Sequence, residues 1–274
     1  MKWRDYLVLG RPSNLPTVWT NVLTGAVLVG RTPPLTLILS ASLLYTAGMF
    51  LNDAFDREID ARQRPDRPIP QGRVSAREAF SIGGGLLFAG VMLVALFAPW
   101  GAVFAGLGLA LAIVFYDAWH KTNPLAPVVM GTCRALLYVM AALYVAELDR
   151  GVLLAALALL SYVAGLTYVA RQENLASFGG SWPLWLLALP FVYALRNVEL
   201  GLSAILFAAL LAWVLRALWL LTRKKIGAAV VSLIAGISLL DALIIAEHGQ
   251  PLLAVLAASG LIATLLAQKW VSGT

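Results

Sequence analysis

Apolar residues in this chain repeatedly run uninterrupted for about the length of a membrane crossing. Residues 12–30, 32–51, 151–170, 200–215 and 249–268 contain no charged side chain, and a helix needs roughly 20 apolar residues to cross a bilayer core. Residues 79–116 are uncharged for 38 positions, too long for one helix, and Pro99, Trp100 and Gly101 interrupt them. This predicts a helical hairpin that turns at the membrane surface. The full pattern places spans at about 15–30, 34–51, 79–98, 101–116, 124–146, 151–170, 182–195, 201–221, 227–246 and 251–268. The predicted fold is all-α: one polytopic membrane helical bundle of nine or ten transmembrane helices, a single domain over residues 1–274.

Composition agrees with that pattern. Hydrophobic residues make up 61% of the chain and charged residues 12%, against about a quarter charged in a soluble domain. The N-terminal apolar segment is long and has no small-residue cleavage pattern, so no cleavable signal peptide is expected. Cys133 is the single cysteine. No disulfide can form within the chain, and a thiol in an apolar stretch is usually inert.

A net charge of +6 raises the possibility of nucleic acid, and the placement of the charges removes it. Threading the spans back and forth puts 15 basic residues on the side of the N-terminus and of the loop after the second span, and only Arg31, Arg150 and Arg196 on the other. That asymmetry orients both termini and the charged loops toward the cytoplasm of an inner (plasma) membrane. The basic excess therefore faces the lipid bilayer and its headgroups, and no nucleic-acid partner is expected. Trp3, Trp100, Trp182 and Trp270 fall near span boundaries, as interfacial anchors do.

The most polar connection spans residues 53–78. It holds twelve of the 34 charged residues (20 basic, 14 acidic). Pro65, Pro68 and Pro70 preclude a continuous helix through it, and Ser75 with Glu78 fits a capping box at the start of the third span. Asn52, Asp56 and Asp60 are spaced i, i+4, i+8. On a second helix extended past the membrane surface they would share one face. Two carboxylates and an amide oxygen are hard ligands suited to Mg2+, which leaves its other positions to water and phosphate. The competing reading is a solvated helix end.

The string N-D-A-F-D-R-E-I-D at 52–60, followed by R-P-D-R-P-I-P-Q-G-R-V-S at 64–75, resembles the first signature of the UbiA superfamily of membrane prenyltransferases. Pro16, Thr17 and Asn21 are similar to the family's first helix. Tyr116 and Lys121 are similar to the tyrosine and lysine between its fourth and fifth helices, and Tyr168 precedes the place of its second acidic motif. The resemblance implies transfer of a prenyl group from an isoprenyl diphosphate to a small-molecule, often aromatic, acceptor. It implies Mg2+ on Asn52, Asp56 and Asp60, phosphate contacts from Arg67 and Lys121, and substrate positioning by Tyr116 and Tyr168.

The chain also departs from the family. The second motif, usually D-x-x-x-D, is replaced by T-Y-V-A-R-Q-E-N at 167–174, where Glu173 is the single carboxylate and Arg171 adds the opposite charge. With M-G-T-C-R at 130–134, this resembles a divergent branch found in ebo-type bacterial gene clusters. Arg171 is expected to replace a second Mg2+, since a guanidinium fork matches phosphate oxygens, with Glu173 orienting Arg171 or a metal-bound water. The loss also admits a second function, non-catalytic binding or transport of a prenylated lipid or diphosphate.

Arg134 lies well inside the fifth span. A membrane-embedded arginine usually faces a cavity or partner, so it is a candidate for substrate binding, against snorkelling or structural pairing. Asn21 could contact the acceptor or form a helix–helix hydrogen bond. Asp117 is either a site carboxylate or an interfacial anchor. His120 and His248 are not spaced as a metal pair. Asp241 and Glu247 fall toward the opposite membrane face and are set aside.

Overall fold

Each long apolar run forms a helix that stops where the chain turns polar or meets proline or glycine. The computed structural model describes residues 2–171 and 182–271, and every regular element among them is helical. A surface helix α1 (Lys2–Gly10) leads through a short 3-10 turn at Pro12–Asn14 into α2 (Leu15–Val27). There follow α3 (Leu35–Phe55), α4 (Arg57–Gln63), α5 (Ala76–Phe97), α6 (Trp100–Trp119), α7 (Ala126–Val145) and α8 (Arg150–Arg171). After a 3-10 stretch at Trp182–Leu187 come α9 (Leu189–Ala194), α10 (Leu202–Thr222), α11 (Ile226–Glu247) and α12 (Pro251–Gln268).

Eight of these helices, α3, α5 to α8 and α10 to α12, are long and apolar enough to cross a membrane. The other two expected spans are shorter. With 13 residues, α2 reaches only about 20 Å, because Gly30 turns with φ +70 and Pro33 and Pro34 follow. The run at 182–195 breaks into a 3-10 segment and the six-residue α9. Pro190 enters at the start of α9, where its missing N–H does no harm. The hairpin at Pro99 forms as expected, with α5 ending at Phe97 and α6 opening at Trp100. Ser75 caps α5 by accepting from the Glu78 backbone N–H at 3.1 Å. The Glu78 carboxylate reaches back toward the Ser75 backbone N–H, as in a capping box, and also accepts from the Tyr6 hydroxyl.

Burial sorts the helices into an inner and an outer set. In α11, 83% of the apolar window is buried inside the bundle, whereas in α5 the share is 17%. The short α2 lies among α3, α7, α11 and α12, and its Thr17, Asn21 and Thr24 are fully buried. Small residues permit the tightest crossings. A Cβ built on Gly131 would lie 2.5 Å from the Leu160 backbone oxygen of α8. Gly131→Val is therefore expected to force α7 from α8 and to lower stability by about 1–3 kcal/mol, as overpacking does, read as a fall in the thermal midpoint of the detergent-solubilised protein. An unchanged midpoint would show that the two helices part freely.

Candidate active site

A cavity of about 820 Å³ opens at the end of the bundle where α3 and α6 finish and α7 begins. Its two halves differ in chemistry. The mouth is lined by Arg11, Arg64, Tyr116, Asp117, His120, Lys121, Tyr168 and Arg171. Below, the walls are Leu109, Ile113, Leu137, Val163, Leu166 and Ile234, with Arg134 as the one cation among them.

The acidic triplet lies beside this mouth, where two successive helices meet. α3 ends at Phe55, Asp56 sits at the junction, and α4 begins at Arg57. Asp56 and Asp60 are nonetheless both buried, which rules out a freely solvated helix end. Each carboxylate is met by cations. Asp56 Oδ2 lies 2.9 Å from Lys121 Nζ and 3.4 Å from His120 Nε2, while Asp60 Oδ2 lies 2.9 Å from Arg67 Nη1. Burial works to raise the Asp56 carboxyl, but the hydrogen bonds and charges of His120 and Lys121 outweigh it and hold the group below its ordinary range. Asp56 is thus charged at neutral pH, and its link to Lys121 is lost only as pH falls through that lowered value. Asn52 donates through Nδ2 to Asp117 Oδ1 at 3.0 Å.

Two residues here escaped the sequence reading. Asp53 is buried and bridges Arg11, at 2.5 Å, to Arg67, at 3.1 Å. It ties the N-terminal segment and the charged loop into one mouth. Its spacing of seven from Asp60, two helical turns, was a signal that both could share one arginine. Arg11 was read only as a topology charge. It takes a left-handed φ of 43 just past the end of α1, and the Tyr45 hydroxyl donates to its carbonyl oxygen at 3.1 Å.

The remaining expected residues divide between wall and support. Tyr116 lines the mouth and stacks on His120 with ring centroids 4.8 Å apart. The Tyr168 hydroxyl donates to the Pro124 carbonyl at 3.1 Å and Arg171 Nη1 to that of Asn123 at 2.9 Å, so both pin α8 to the loop after α6 while facing the cavity. Asn52, Asp56, Asp60 and Arg67 stand outside the cavity lining, the first three in contact with lining residues or one residue removed from them. Asn21 also lies outside it, fully buried behind Arg134. Glu173 lies outside the described residues.

Asp241, set aside from the sequence, is brought to the centre. It is fully buried and accepts from Thr20, from the Asn21 amide at 3.1 and 2.9 Å, and from the Tyr138 hydroxyl. The carbonyl side of the same amide accepts from Arg134 Nη1 at 2.9 Å. No spacing along the chain announces a contact between residues 220 positions apart.

The donor set fits Mg2+ by kind. Asn52, Asp56, Asp60 and Asp117 supply hard oxygens, and the buried Asp117 Oδ2 has no hydrogen-bond partner. Among the described residues no cluster of three or more ligating side chains is already gathered around one point. Mg2+ does not require one, since it is commonly held by one or two carboxylates with water and substrate phosphate completing the octahedron.

Known proteins share this chain's family and fold. Residues 13–247 match the UbiA prenyltransferase family. A digeranylgeranylglyceryl phosphate synthase of Ignicoccus hospitalis is 38% identical over 124 residues, covering 44% of this chain and 41% of that protein. A protoheme IX farnesyltransferase of Alkalihalophilus pseudofirmus is 30% identical over 142 residues, 47% of this chain and 46% of that one. The matched stretch thus spans less than half the length of these curated relatives. Among solved structures, an apo UbiA homologue of Aeropyrum pernix superposes with a TM-score of 0.69 at 19% identity, covering 87% of this chain and 98% of that one. A UbiA homologue of Archaeoglobus fulgidus bound to GPP and Mg2+ superposes with a TM-score of 0.54 at 15% identity, covering 96% and 99%.

Proposed function

Because this chain is an integral membrane protein of the UbiA prenyltransferase family, we propose that it transfers a prenyl group from an allylic isoprenyl diphosphate to a small-molecule acceptor at the cytoplasmic side of the membrane. The observation that carries this reading is the division of one cavity into a cationic mouth and an apolar interior. A diphosphate suits the first and an isoprenoid tail the second. Names among the relatives point the same way, since the curated ones are a synthase and a farnesyltransferase and one solved homologue holds GPP with Mg2+.

Asn52, Asp56 and Asp60, with Asp117 beside them, would hold Mg2+, which when bound offsets the charge of the leaving diphosphate. Lys121, Arg171, Arg64 and Arg11 line the mouth and meet the diphosphate oxygens as negative charge accumulates there. Arg67 holds Asp53 and Asp60 in register. As the allylic C–O bond breaks, Tyr116 and the apolar walls keep water from the electron-poor carbon, so the acceptor captures it. The abundance of basic residues at this end supports its cytoplasmic orientation.

A second reading, binding or transport without turnover, is favoured by the segment after Thr167, which carries no aspartate. Radiolabelled geranyl diphosphate offered with a membrane-free metabolite extract, with and without Mg2+, separates the two. A labelled adduct formed only with Mg2+ is expected. Tight binding without an adduct would favour the second reading, and absence of any affinity for the diphosphate would overturn both.

Arg171 replaces a metal site on this reading. Removing the fork but keeping the charge, in Arg171→Lys, is expected to weaken geranyl diphosphate binding by roughly threefold, and Arg171→Ala by roughly tenfold or more. Calorimetric titration of Mg2+ should show one site. Unchanged affinity in Arg171→Ala, or two cooperative Mg2+ sites, would mean that the arginine serves only to anchor α8.

A further inference from the structure

The outer side of α10 carries a cation with no counter-charge among the described residues. Arg216 lies six residues short of Thr222, where α10 ends, hence about 9 Å below that end. It is exposed on a helix whose outward face is otherwise apolar, with Ile205, Leu211 and Leu215 exposed around it. A guanidinium facing lipid at this depth is costly unless a partner receives it.

Its contacts hold it in place. Nη1 donates to Ser232 Oγ of α11 at 2.7 Å, and Ser232 is buried. Trp213 Nε1 donates to the Ser232 carbonyl at 2.7 Å, and its ring lies 5.0 Å from the guanidinium carbon. Arg223, seven residues on and just past the end of α10, falls on the same face, with its own guanidinium carbon 5.3 Å from the Trp219 ring. Lys224 and Lys225 follow in the turn to α11. Residues 200–240 contain no aspartate or glutamate, and among the described residues none of these four cations forms an ion pair.

Neither topology nor snorkelling accounts for this arrangement. The charge bias of cytoplasmic turns explains Arg223, Lys224 and Lys225, but gives no reason for a fourth cation two turns deeper. A snorkelling arginine extends toward the interface, whereas Arg216 is fastened sideways onto α11. One of its five N–H donors is engaged there, and the others remain on the outer surface. Toward the bilayer interior the same face continues with Ala212, Ala208 and Ile205, all exposed, where small side chains leave room for an acyl chain.

We propose that Arg216 and Arg223, with Lys224 and Lys225 at the rim, form a binding site for one anionic phospholipid of the membrane. Its phosphate sits between the two guanidinium groups, each of which presents a planar fork to the oxygens, and an acyl chain lies along Ala212 and Ala208. A lipid is the occupant because the site opens onto the apolar outer face of the bundle. Basic pockets between membrane helices take such headgroups. The bound lipid braces α10 against α11.

Native mass spectrometry of the detergent-solubilised full chain, titrated with phosphatidylglycerol or with phosphatidylcholine of the same acyl chains, tests this. One phosphatidylglycerol is expected to bind roughly tenfold more tightly than phosphatidylcholine and to raise the thermal midpoint. Arg216→Gln keeps a donor for Ser232 but loses the charge, and should abolish the preference. Arg223→Gln, at the exposed turn where folding is not at stake, should reduce it about threefold. Geranyl diphosphate affinity should stay within twofold of wild type in both variants, since neither residue lines the cavity. Equal affinity for the two lipids in the wild type, or a preference unchanged in Arg216→Gln or in Arg223→Gln, would overturn the proposal and leave the four cations as orientation signals only.

Discussion

Asp56→Ala is expected to abolish Mg2+-supported prenyl transfer while leaving the bundle folded. Asp56 stands where α3 gives way to α4 and pairs with Lys121 of the mouth at 2.9 Å, with His120 Nε2 at 3.4 Å. Its removal takes one charged oxygen from the proposed metal site and leaves Lys121 without its anchor. Loss of an outer partner of a metal ligand typically costs about 10- to 100-fold in affinity or activity, and a direct ligand should cost more. The stability change should stay within about 1 kcal/mol, because Lys121 is 39% exposed and recovers water as its partner. Asp66→Ala, in the same loop but exposed, is the control that should retain activity. Rates and diphosphate affinity at the wild-type level in Asp56→Ala would show that the acidic cluster holds the loop in place and binds no metal.

The largest effect on stability is expected at Asp241, far from the mouth. Asp241→Ala would remove the acceptor for Thr20, Asn21 and Tyr138 at once, each of them buried. It would also strand the Arg134 cation, whose charge Asp241 offsets through Asn21. Breaking a buried charge arrangement from one side costs about 3–5 kcal/mol, to which the unpaired donors add. The protein should therefore express poorly or lose well over ten degrees from its thermal midpoint in detergent. Asp241→Asn keeps one acceptor oxygen in place but still leaves the Arg134 charge unmatched, and should fall between Asp241→Ala and the wild type. If Asp241→Ala melted with the wild type, water would have to reach the interior of the bundle, and the polar cluster would be solvated rather than sealed.

These two sites differ in how far the sequence reveals them, and for a physical reason. At the mouth the informative residues lie close together along the chain. Asn52, Asp56 and Asp60 are one helical turn apart, and the prolines at 65, 68 and 70 announce the loop that returns Arg67 to them. Spacing of this kind is local, so periodicity exposes it. α3 gives way to α4 at Asp56, yet Asp56 keeps helical dihedrals and the i to i+4 backbone bonds run on from Asn52 through Asp56 to Asp60, so the spacing holds while each side chain takes its own partner.

The amino-acid sequence by itself determined the membrane-spanning class, ten apolar runs of which eight form long helices, the hairpin at Pro99, the cap at Ser75 and the charged end of the bundle. Each follows from a property that acts within one stretch of chain: apolar length against the thickness of a bilayer, the missing N–H of proline, or a side chain reaching three residues along the backbone. Only the tertiary structure decided what the isolated polar residues inside the spans do. Thr20 and Asn21 sit on α2, Arg134 and Tyr138 on α7 and Asp241 on α11, and in an apolar medium each must be satisfied by whichever helix packs against it. The crossing of α2, α7 and α11 chooses those partners. It makes Asp241, which nothing in its local sequence joins to the site, the counter-charge behind Arg134.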